Sequence, residues 1–540
     1  MSMKPFADSI MFRVADSTKI YNIFLLISDY TMDFCILKTK DYRIFELDDK
    51  TYEGAEWANR ALPGDTVTTD FQLISRADHK GLVGVLELAG KTRYGFTARN
   101  HPLYLFVPWN ESYPPFYVGS SHKDTSKNVL AIIDFEKWEE YKNCPRGICR
   151  EIIGQCGDLQ SEERALLAHL GPKKWKHEPL LNPPIVPAQG GSKLEGATFH
   201  IDPPGCRDID DAVTLWENYD KSIDIRIHIA DVASTLATNP QLHDAARQSQ
   251  TIYKDGVVVS GMFPASVEAS LSLLPGTTRM TLTLGFTIDG SNVTNVRWCQ
   301  QEIEVKESYT YETILHSRHC ELLRMATSVL AKRDVTDPHE WVSELMLFYN
   351  KTAAKWLYDN GAGVLRRHSG PNAERLEALA AIGKIPLYLA YSSGEYCSPL
   401  TSDTKHWGLD SDYYCHASSP IRRWVDCLNQ AALIDILFDT YIELPVPDID
   451  ALNTMGKAIK KYERDLTFAR VLMNPDTPKE VEGIVVECGA KLRVWIEAWN
   501  KVVTVKTDSE FLPGATVSVK IFFDAGKRNW KRRMVLSCKT

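Results

Sequence analysis

Four aspartates, Asp202, Asp208, Asp210 and Asp211, crowd into the segment His200-IDPPGCRDIDDA-Val213. Carboxylates this close repel one another, and Asp is rarely buried. Pro203, Pro204 and Gly205 rule out a helix, so the segment reads as a tight loop after a strand. Gathering such charge at one point is costly unless a cation sits there. Oxygen ligands without Cys or His favour Mg²⁺, with Mn²⁺ able to substitute; such ions hold phosphates and activate water. The loop lacks the alternating ligands and closing Glu of an EF-hand. The plain alternative is a solvated acidic loop.

A second charged segment is Tyr413-YCHASSPIRRWVD-Cys427. Ser418 and Ser419 precede Pro420, which predicts a helix whose first turn holds Pro420, Arg422 and Arg423. Cations at the positive end of a helix dipole are unfavourable, so the pattern points to a bound anion, such as a phosphate. The alternative is an ion pair with an acid such as Asp426. His228 and His416 invite a reading as general bases, but hydrogen-bonded core positions are expected for both.

The bulk numbers bound the rest. The chain has 540 residues, 44% hydrophobic and 24% charged, enough for several buried cores. A formal net charge of −8 excludes a general basic coat, so contact with nucleic acid must come from local patches. One is the run Gly526 to Lys539, with Lys527, Arg528, Lys531, Arg532, Arg533 and Lys539 around Trp530; a solvated strand edge is the equal alternative. Twelve cysteines form no CxxC pair, and Cys144, Cys149 and Cys156 fit no usual zinc spacing. Free, mostly buried thiols in a reducing compartment are expected. No signal-peptide core and no membrane-length apolar run are present, so an intracellular protein is expected, nucleus and cytoplasm being indistinguishable.

Several elements position these motifs. Short apolar runs recur at 23–27, 34–37, 82–88, 103–107 and 129–133, spaced as in small closed barrels. A helix is predicted from Ser161 to Leu170, then a Pro-, Gly- and Lys-rich linker over 172–191. Mixed strands and helices over 196–472 indicate an α+β or α/β unit. Strand patterns over 481–487, 492–497, 502–506, 515–523 and 533–537, with a turn at Pro513-Gly514, predict a further small barrel.

With both charged motifs in view, the chain resembles the ribonuclease II (RNB) family, which carries IDPPxxxDIDDA and, some 200 residues on, SPIRRYxD. Here they stand at 201–212 and 419–426. HIADV at 228–232, IYKDGVVVSGMFP at 252–264, SYTYETI at 308–314, ELMLFYN at 344–350, LRRH at 365–368 and YERD at 462–465 also resemble family segments. NRALPGDTV at 59–67 and FVPWN at 106–110 resemble its paired cold-shock barrels. The resemblance implies a multidomain chain. It has an N-terminal tail and first OB/cold-shock β-barrel (1–80), a second such barrel (81–160), a short helix and linker (161–195), an α+β RNB catalytic domain (196–475) and a C-terminal OB barrel (476–540). The PPGC form of the loop is similar to the catalytic subunit of the eukaryotic exosome, but no counterpart of that subunit's N-terminal PIN domain is expected, nor docking onto an exosome ring; a monomer is the expectation.

The resemblance also implies an activity: Mg²⁺-dependent hydrolysis of single-stranded RNA from its 3′ end into nucleoside 5′-monophosphates. By matched position Asp202, Asp208, Asp210 and Asp211 hold the metal, Asp210 being the most sensitive, and Arg422 grips the scissile phosphate. Arg423 lies beside it as an RNA contact. Tyr253 stacks on the terminal base, unless it is simply a tyrosine buried under the loop. Glu463 lies near the last ribose, and Tyr311 approaches a 2′-hydroxyl. Three departures stand out. Ser343 stands where the family has the first of two acids, leaving Glu344 alone; the interval from Tyr311 to Glu344 is too short for the hairpin that supplies a second clamp aromatic, Trp341 and Phe348 being candidate replacements unless both are core; and the family's histidine after the arginine segment is Gln430. The competing reading is an RNA-binding scaffold on a catalytically decayed RNB fold.

Overall fold

In the computed structural model, residues 34–39, 41–47, 50–172, 175, 178–182, 196–446, 448–474, 476, 478–489, 491–524 and 534–538 are described. The chain divides into two compact units, Met1–Ile153 and Gly154–Thr540.

In the first unit, strands Leu82–Leu86, Leu103–Pro108, Phe116–Gly119, Val129–Lys137 and Arg146–Gln155 form a closed barrel. Alternate residues of 103–108 and 116–119 face inward, so Tyr104, Phe106, Phe116 and Val118 are buried. The preceding stretch forms two three-stranded sheets instead of one ring: Phe34–Ile36, Thr66–Thr68 and Leu73–Ser75; and Lys38–Thr39, Ile44–Leu47 and Lys50–Glu53. Phe45, Leu62, Val67 and Phe71 from this stretch join Leu86, Phe106 and Phe116 of the barrel in one apolar core. The strand expected at 23–27 lies outside the described residues.

The second unit opens with α1 (Leu159–Leu170), capped by Asp158, whose carboxylate accepts from Ser161 N–H, and closed by Gly171 at φ 68°. Of the expected linker, Trp175 donates its indole N–H to Met262 O at 3.0 Å, and Asn182 N–H donates to Asn239 Oδ1 at 2.8 Å. The central sheet contains β1 (Thr198–Ile201), β2 (Asp211–Glu217), β3 (Ile223–Ala230), β6 (Thr278–Asp289), β7 (Asn292–Glu304) and β8 (Glu307–Tyr309), in the order β7-β6-β3-β2-β1-β8. All neighbours are antiparallel except β1 and β8. A hairpin of β4 (Ile252–Lys254) and β5 (Val257–Ser260) stands apart from this sheet.

Helices α2 (Val232–Ala237), α3 (Cys320–Ala331), α4 (Pro338–Asp359) and α5 (Trp424–Phe438) contribute to the core with β1 to β3 and β6. From Trp424 to Ile434 nearly every residue of α5 is buried, so this stretch of helix is enclosed on all sides. The long α6 (Ile449–Met473) leads to five strands, Glu480–Cys488, Leu492–Ile496, Lys501–Val505, Thr516–Phe523 and Met534–Ser537. A bridge between Lys506 and Ser537 draws the two outer strands together into the expected barrel-like form. Gly514, at φ 88°, occupies the predicted turn. The basic residues 527–533 and Lys539 lie outside the described residues. None of the twelve cysteines is exposed. Among the described residues no helix is long and apolar enough to cross a membrane.

Candidate active site

The acidic loop leaves the sheet where β1 ends. Asp202 N–H donates to Tyr309 O at 3.0 Å, and the chain then reverses through Pro203 to Cys206, with Gly205 at φ 82°. Only glycine adopts that angle at no steric cost. The return is pinned from two sides: Ser272 Oγ donates to Arg207 O at 2.7 Å, Leu273 N–H to Ile209 O at 3.0 Å, and Ala230 N–H to Asp210 O at 2.9 Å. Ile209 is buried between them, and β2 starts at Asp211.

The four carboxylates meet different partners. Asp202 Oδ2 lies 2.9 Å from His200 Nδ1. Asp208 accepts the Tyr253 hydroxyl, and Cys206 Sγ donates to it at 3.6 Å. Asp210 is buried; its Oδ1 accepts Ile421 N–H at 2.7 Å and its Oδ2 lies 3.3 Å from Arg422 Nε. Burial drives the Asp210 carboxyl well above the usual range, with Asp208 and Asp211 adding repulsion and Arg422 opposing. Burial and the Asp202 charge hold Asp211 up to about 7. Among the described residues, no three His, Cys, Asp or Glu side chains stand around a common point as a ready-made metal cage.

The arginine segment is a turn, not the helix start expected from Pro420. Arg422 and Arg423 N–H groups both donate to Ser419 O, and α5 begins only at Trp424, with Arg423 in the extended conformation as its cap. Tertiary contacts override the local signal. Ile421 N–H is drawn onto Asp210, while Thr251 N–H donates to Arg422 O at 2.9 Å and Trp424 N–H to Ser249 O at 2.7 Å. Arg423 alone is bridged, to Gln250, and the two arginine side chains take different partners. Arg422 reaches Asp210 and Ser419 Oγ (3.1 Å), while Arg423 donates to Asp426 at 2.8 Å, the ion pair weighed as an alternative.

The remaining candidates divide. Tyr253 is half-buried on β4 with its hydroxyl on Asp208; burial and that bond raise its pKa. Tyr311 stacks on His339, with ring centroids 3.6 Å apart, and lies within the field of Asp202 and Asp211. Glu463 is exposed on α6 and lines a cavity with Arg423. Trp341 is a core residue, its indole donating to Val335 O at 2.8 Å, and Phe348 packs on Phe286 with centroids 4.6 Å apart. Neither is placed as a clamp. His228 is buried between Thr214 and Thr283, and desolvation lowers its pKa to about 3. His416 bonds Tyr396, and burial followed by Arg423 and Arg366 keep it neutral. Gln430 caps α2: its Oε1 accepts Val232 and Ala233 N–H at 2.9 Å each, and its amide donates to Ala230 O at 2.8 Å.

One acid escaped the sequence reading. Glu268, in the short helix Ala265–Leu271, is buried with an unpartnered Oε1; burial and the Asp208 charge raise it to about 7. Its carboxylate fills the place a side chain at Gly261 would occupy, and a Cβ there would collide with its Oε1. Only that pairing could have signalled its burial.

Comparison with known proteins bears on this geometry. The RNB domain model matches residues 194–319 and 316–439, and a Dis3-like cold-shock domain 2 matches 103–171. The human exosome complex exonuclease RRP44 is 22% identical over 419 residues, which cover 60% of this chain and 43% of that protein. Ribonuclease R of Chlamydia muridarum is 26% identical over 305 residues, 43% of this chain and 44% of the relative, so the match spans under half of either relative's length. Ribonuclease R of Helicobacter pylori is 24% identical over 540 residues, covering 80% of each chain. The fold overlaps Mycoplasma genitalium RNase R in complex with ribose-methylated single-stranded RNA, with a TM-score of 0.72 and 15% identity, over 94% of this chain and 100% of that one. It also overlaps yeast Ssd1, a pseudonuclease, with a TM-score of 0.58 and 15% identity over 92% of this chain and 80% of that one. This chain therefore carries an RNB domain over 194–439, preceded by a Dis3-like cold-shock domain over 103–171.

Proposed function

We propose that this chain is a divalent-metal-dependent exoribonuclease that shortens single-stranded RNA from its 3′ end and releases nucleoside 5′-monophosphates. One observation carries the reading. Two segments some 200 residues apart meet at Asp210, which is held by Ile421 N–H at 2.7 Å and lies 3.3 Å from Arg422 Nε. A buried carboxylate beside a half-exposed guanidinium, at the mouth of a loop with three further aspartates, suits phosphodiester chemistry better than a structural role.

The donor set fits Mg²⁺ or Mn²⁺. Asp202, Asp208, Asp210 and Asp211 offer only hard oxygens, and among the described residues Arg422 is the one Lys or Arg bonded to any of them. Holding an ion requires the carboxylates to turn from their present partners, His200 and Tyr253 above all. A bound ion there supplies Lewis-acid charge at the phosphate and lowers the pKa of a water. The protein does the rest. Arg422, anchored on Asp210 and Ser419, presents its remaining donors to a phosphate. Tyr253, once its hydroxyl leaves Asp208, offers a ring for the terminal base. Tyr311, within the field of Asp202 and Asp211, can offer its hydroxyl to a ribose, and Glu463 on α6 stands instead in the cavity with Arg423. RNA-bound neighbours of the same fold support the substrate class.

The scaffold reading draws support from the absence of a preformed metal cage among the described residues and from a pseudonuclease of the same fold. A 5′-labelled single-stranded RNA with Mg²⁺ separates the two. The exoribonuclease gives a ladder of shortening products and mononucleotides, abolished by EDTA and restored by Mg²⁺ or Mn²⁺. RNA bound at full length but never cut supports the scaffold and defeats the proposal.

A further inference from the structure

Arg422 lies in the turn and Arg423, extended and bridged to Gln250, follows it, and their side chains go to different partners, Asp210 and Asp426. The first faces the acidic loop. The second faces a cavity of about 240 Å³ between the arginine segment, the 393–396 turn and α6. Arg366, Arg423, Lys457 and Lys460 line it, against a single lining acid, Glu463. Asp426 neutralises Arg423 from below, yet a surplus of positive charge remains. Arg423 Nε is buried without a hydrogen-bond partner. The Arg366 guanidinium lies over the Tyr396 ring, 5.1 Å from its centroid, and Gly394 makes room for it: a Cβ there would stand 3.1 Å from its Nη2. Burial and the Arg366 charge together depress Lys460. Cations that crowd one cavity at mutual cost are the complement of the acidic loop, and an anion relieves them.

We propose that this cavity is a phosphomonoester subsite, separate from the scissile position and reached one residue beyond the arginine that grips it. Arg366 and Arg423 supply planar donors, Lys457 and Lys460 supply mobile charge from consecutive turns of α6, and Glu463 accepts from a sugar hydroxyl. A phosphomonoester can arrive here in two ways: as a terminal 3′-phosphate on the RNA, or as the 5′-phosphate of a released mononucleotide. Both origins rest on the exoribonuclease reading, whereas the binding itself does not.

The test is calorimetric titration in EDTA at low salt with a nucleoside 3′-monophosphate, a nucleoside 5′-monophosphate and inorganic phosphate. The double variant Lys457→Ala, Lys460→Ala should bind the preferred nucleotide about tenfold more weakly than wild type. Lys355→Ala, which removes a surface lysine paired with Asp359, should leave binding unchanged. Tighter binding of the 3′-monophosphate assigns the cavity to RNA ends, and tighter binding of the 5′-monophosphate assigns it to the product. Failure of all three to bind wild type, or equal binding by the double variant, overturns the proposal. The ladder assay on the same proteins reads separately. Lost RNA shortening with intact phosphate binding defeats the nuclease alone, and intact shortening without phosphate binding defeats the subsite alone.

Discussion

Replacing Asp210 with Asn tests the centre of the site with a nearly isosteric change. The Asn carbonyl can still accept Ile421 N–H, now 2.7 Å from Oδ1, so the turn before α5 should survive. On the other side an amide N–H₂ replaces the oxygen 3.3 Å from Arg422 Nε, setting donor against donor. The lost charge-assisted bond is worth about 1.5–3 kcal/mol. Against that, the variant escapes the burial that already disfavours the charge at this position. The two effects nearly cancel in stability, and the melting temperature should move by only a few degrees. Catalysis has no such compensation. On the proposed reading one metal ligand and the anchor of the phosphate-binding arginine go together, and loss of one oriented electrostatic group alone costs about 10²–10³ in kcat. We expect at least about 10³-fold slower shortening of 5′-labelled single-stranded RNA in Mg²⁺, roughly 4 kcal/mol of transition-state stabilisation. Binding of the same RNA in EDTA should change by less than about threefold, because the other basic groups remain. Turnover within about tenfold of wild type, in a protein that melts normally, refutes the assignment.

Four further outcomes follow from the same contacts. Arg470 donates to Glu163 at 2.8 Å and pairs with Asp255 at the hairpin tip, while Lys254 pairs with Glu163; Arg470→Ala should loosen the hairpin that carries Tyr253. At about 0.2–1 kcal/mol per part-exposed pair, the expected result is a KM rise of a few-fold with kcat nearly constant, and an unchanged KM sinks the latch. Glu268, held up to about 7 by burial and Asp208, binds its proton more tightly folded than unfolded. Its effect is therefore a stability lost as pH rises from about 4 through 7. In metal-free buffer Glu268→Gln should melt like wild type near the lower limit and higher than wild type at about pH 8; parallel curves would falsify this. Gln430→Ala strands two buried N–H groups and one carbonyl, and chemical denaturation should show a loss of about 3 kcal/mol or more. Finally, Mn²⁺ at about a hundred times its Kd should stabilise wild type by ~2.7 kcal/mol in a thermal scan, and Asp210→Asn should gain far less.

How much of this was legible depended on whether local pattern and tertiary demand agreed. Strands 103–108 and 129–137 alternate or run apolar because they line a closed barrel, and they fall where the sequence predicts them. Gly205 and Gly514 sit at positive φ as turn glycines do. The acidic and arginine motifs could be named, but their meeting at Asp210 could not be derived from spacing across 211 positions. Pro420 misled: its fixed φ suits a first helical turn, yet the Ile421 N–H is committed to Asp210 and α5 waits until Trp424. The split of the first barrel region into two sheets left no trace in the run of apolar residues. Glu268 looks like any helix glutamate until Gly261 is seen to leave it room.

The contest between enzyme and scaffold turns on what the site costs. A carboxylate that is buried and opposed by two others is a liability, and one guanidinium at 3.3 Å does not remove it, since burial still lifts Asp210 far from its ordinary range. Across the arginine segment the imbalance is reversed, with cations exceeding acids around Arg423. A scaffold that merely held RNA would profit from the second arrangement and be weakened by the first, because negative charge repels the backbone it binds. Surplus acid at Arg422 and surplus base around Arg423 together suit the proposed cation beside a scissile phosphate, with a second phosphate held next to it. That polarity, more than any single residue, is what sets the hydrolytic reading above the binding one.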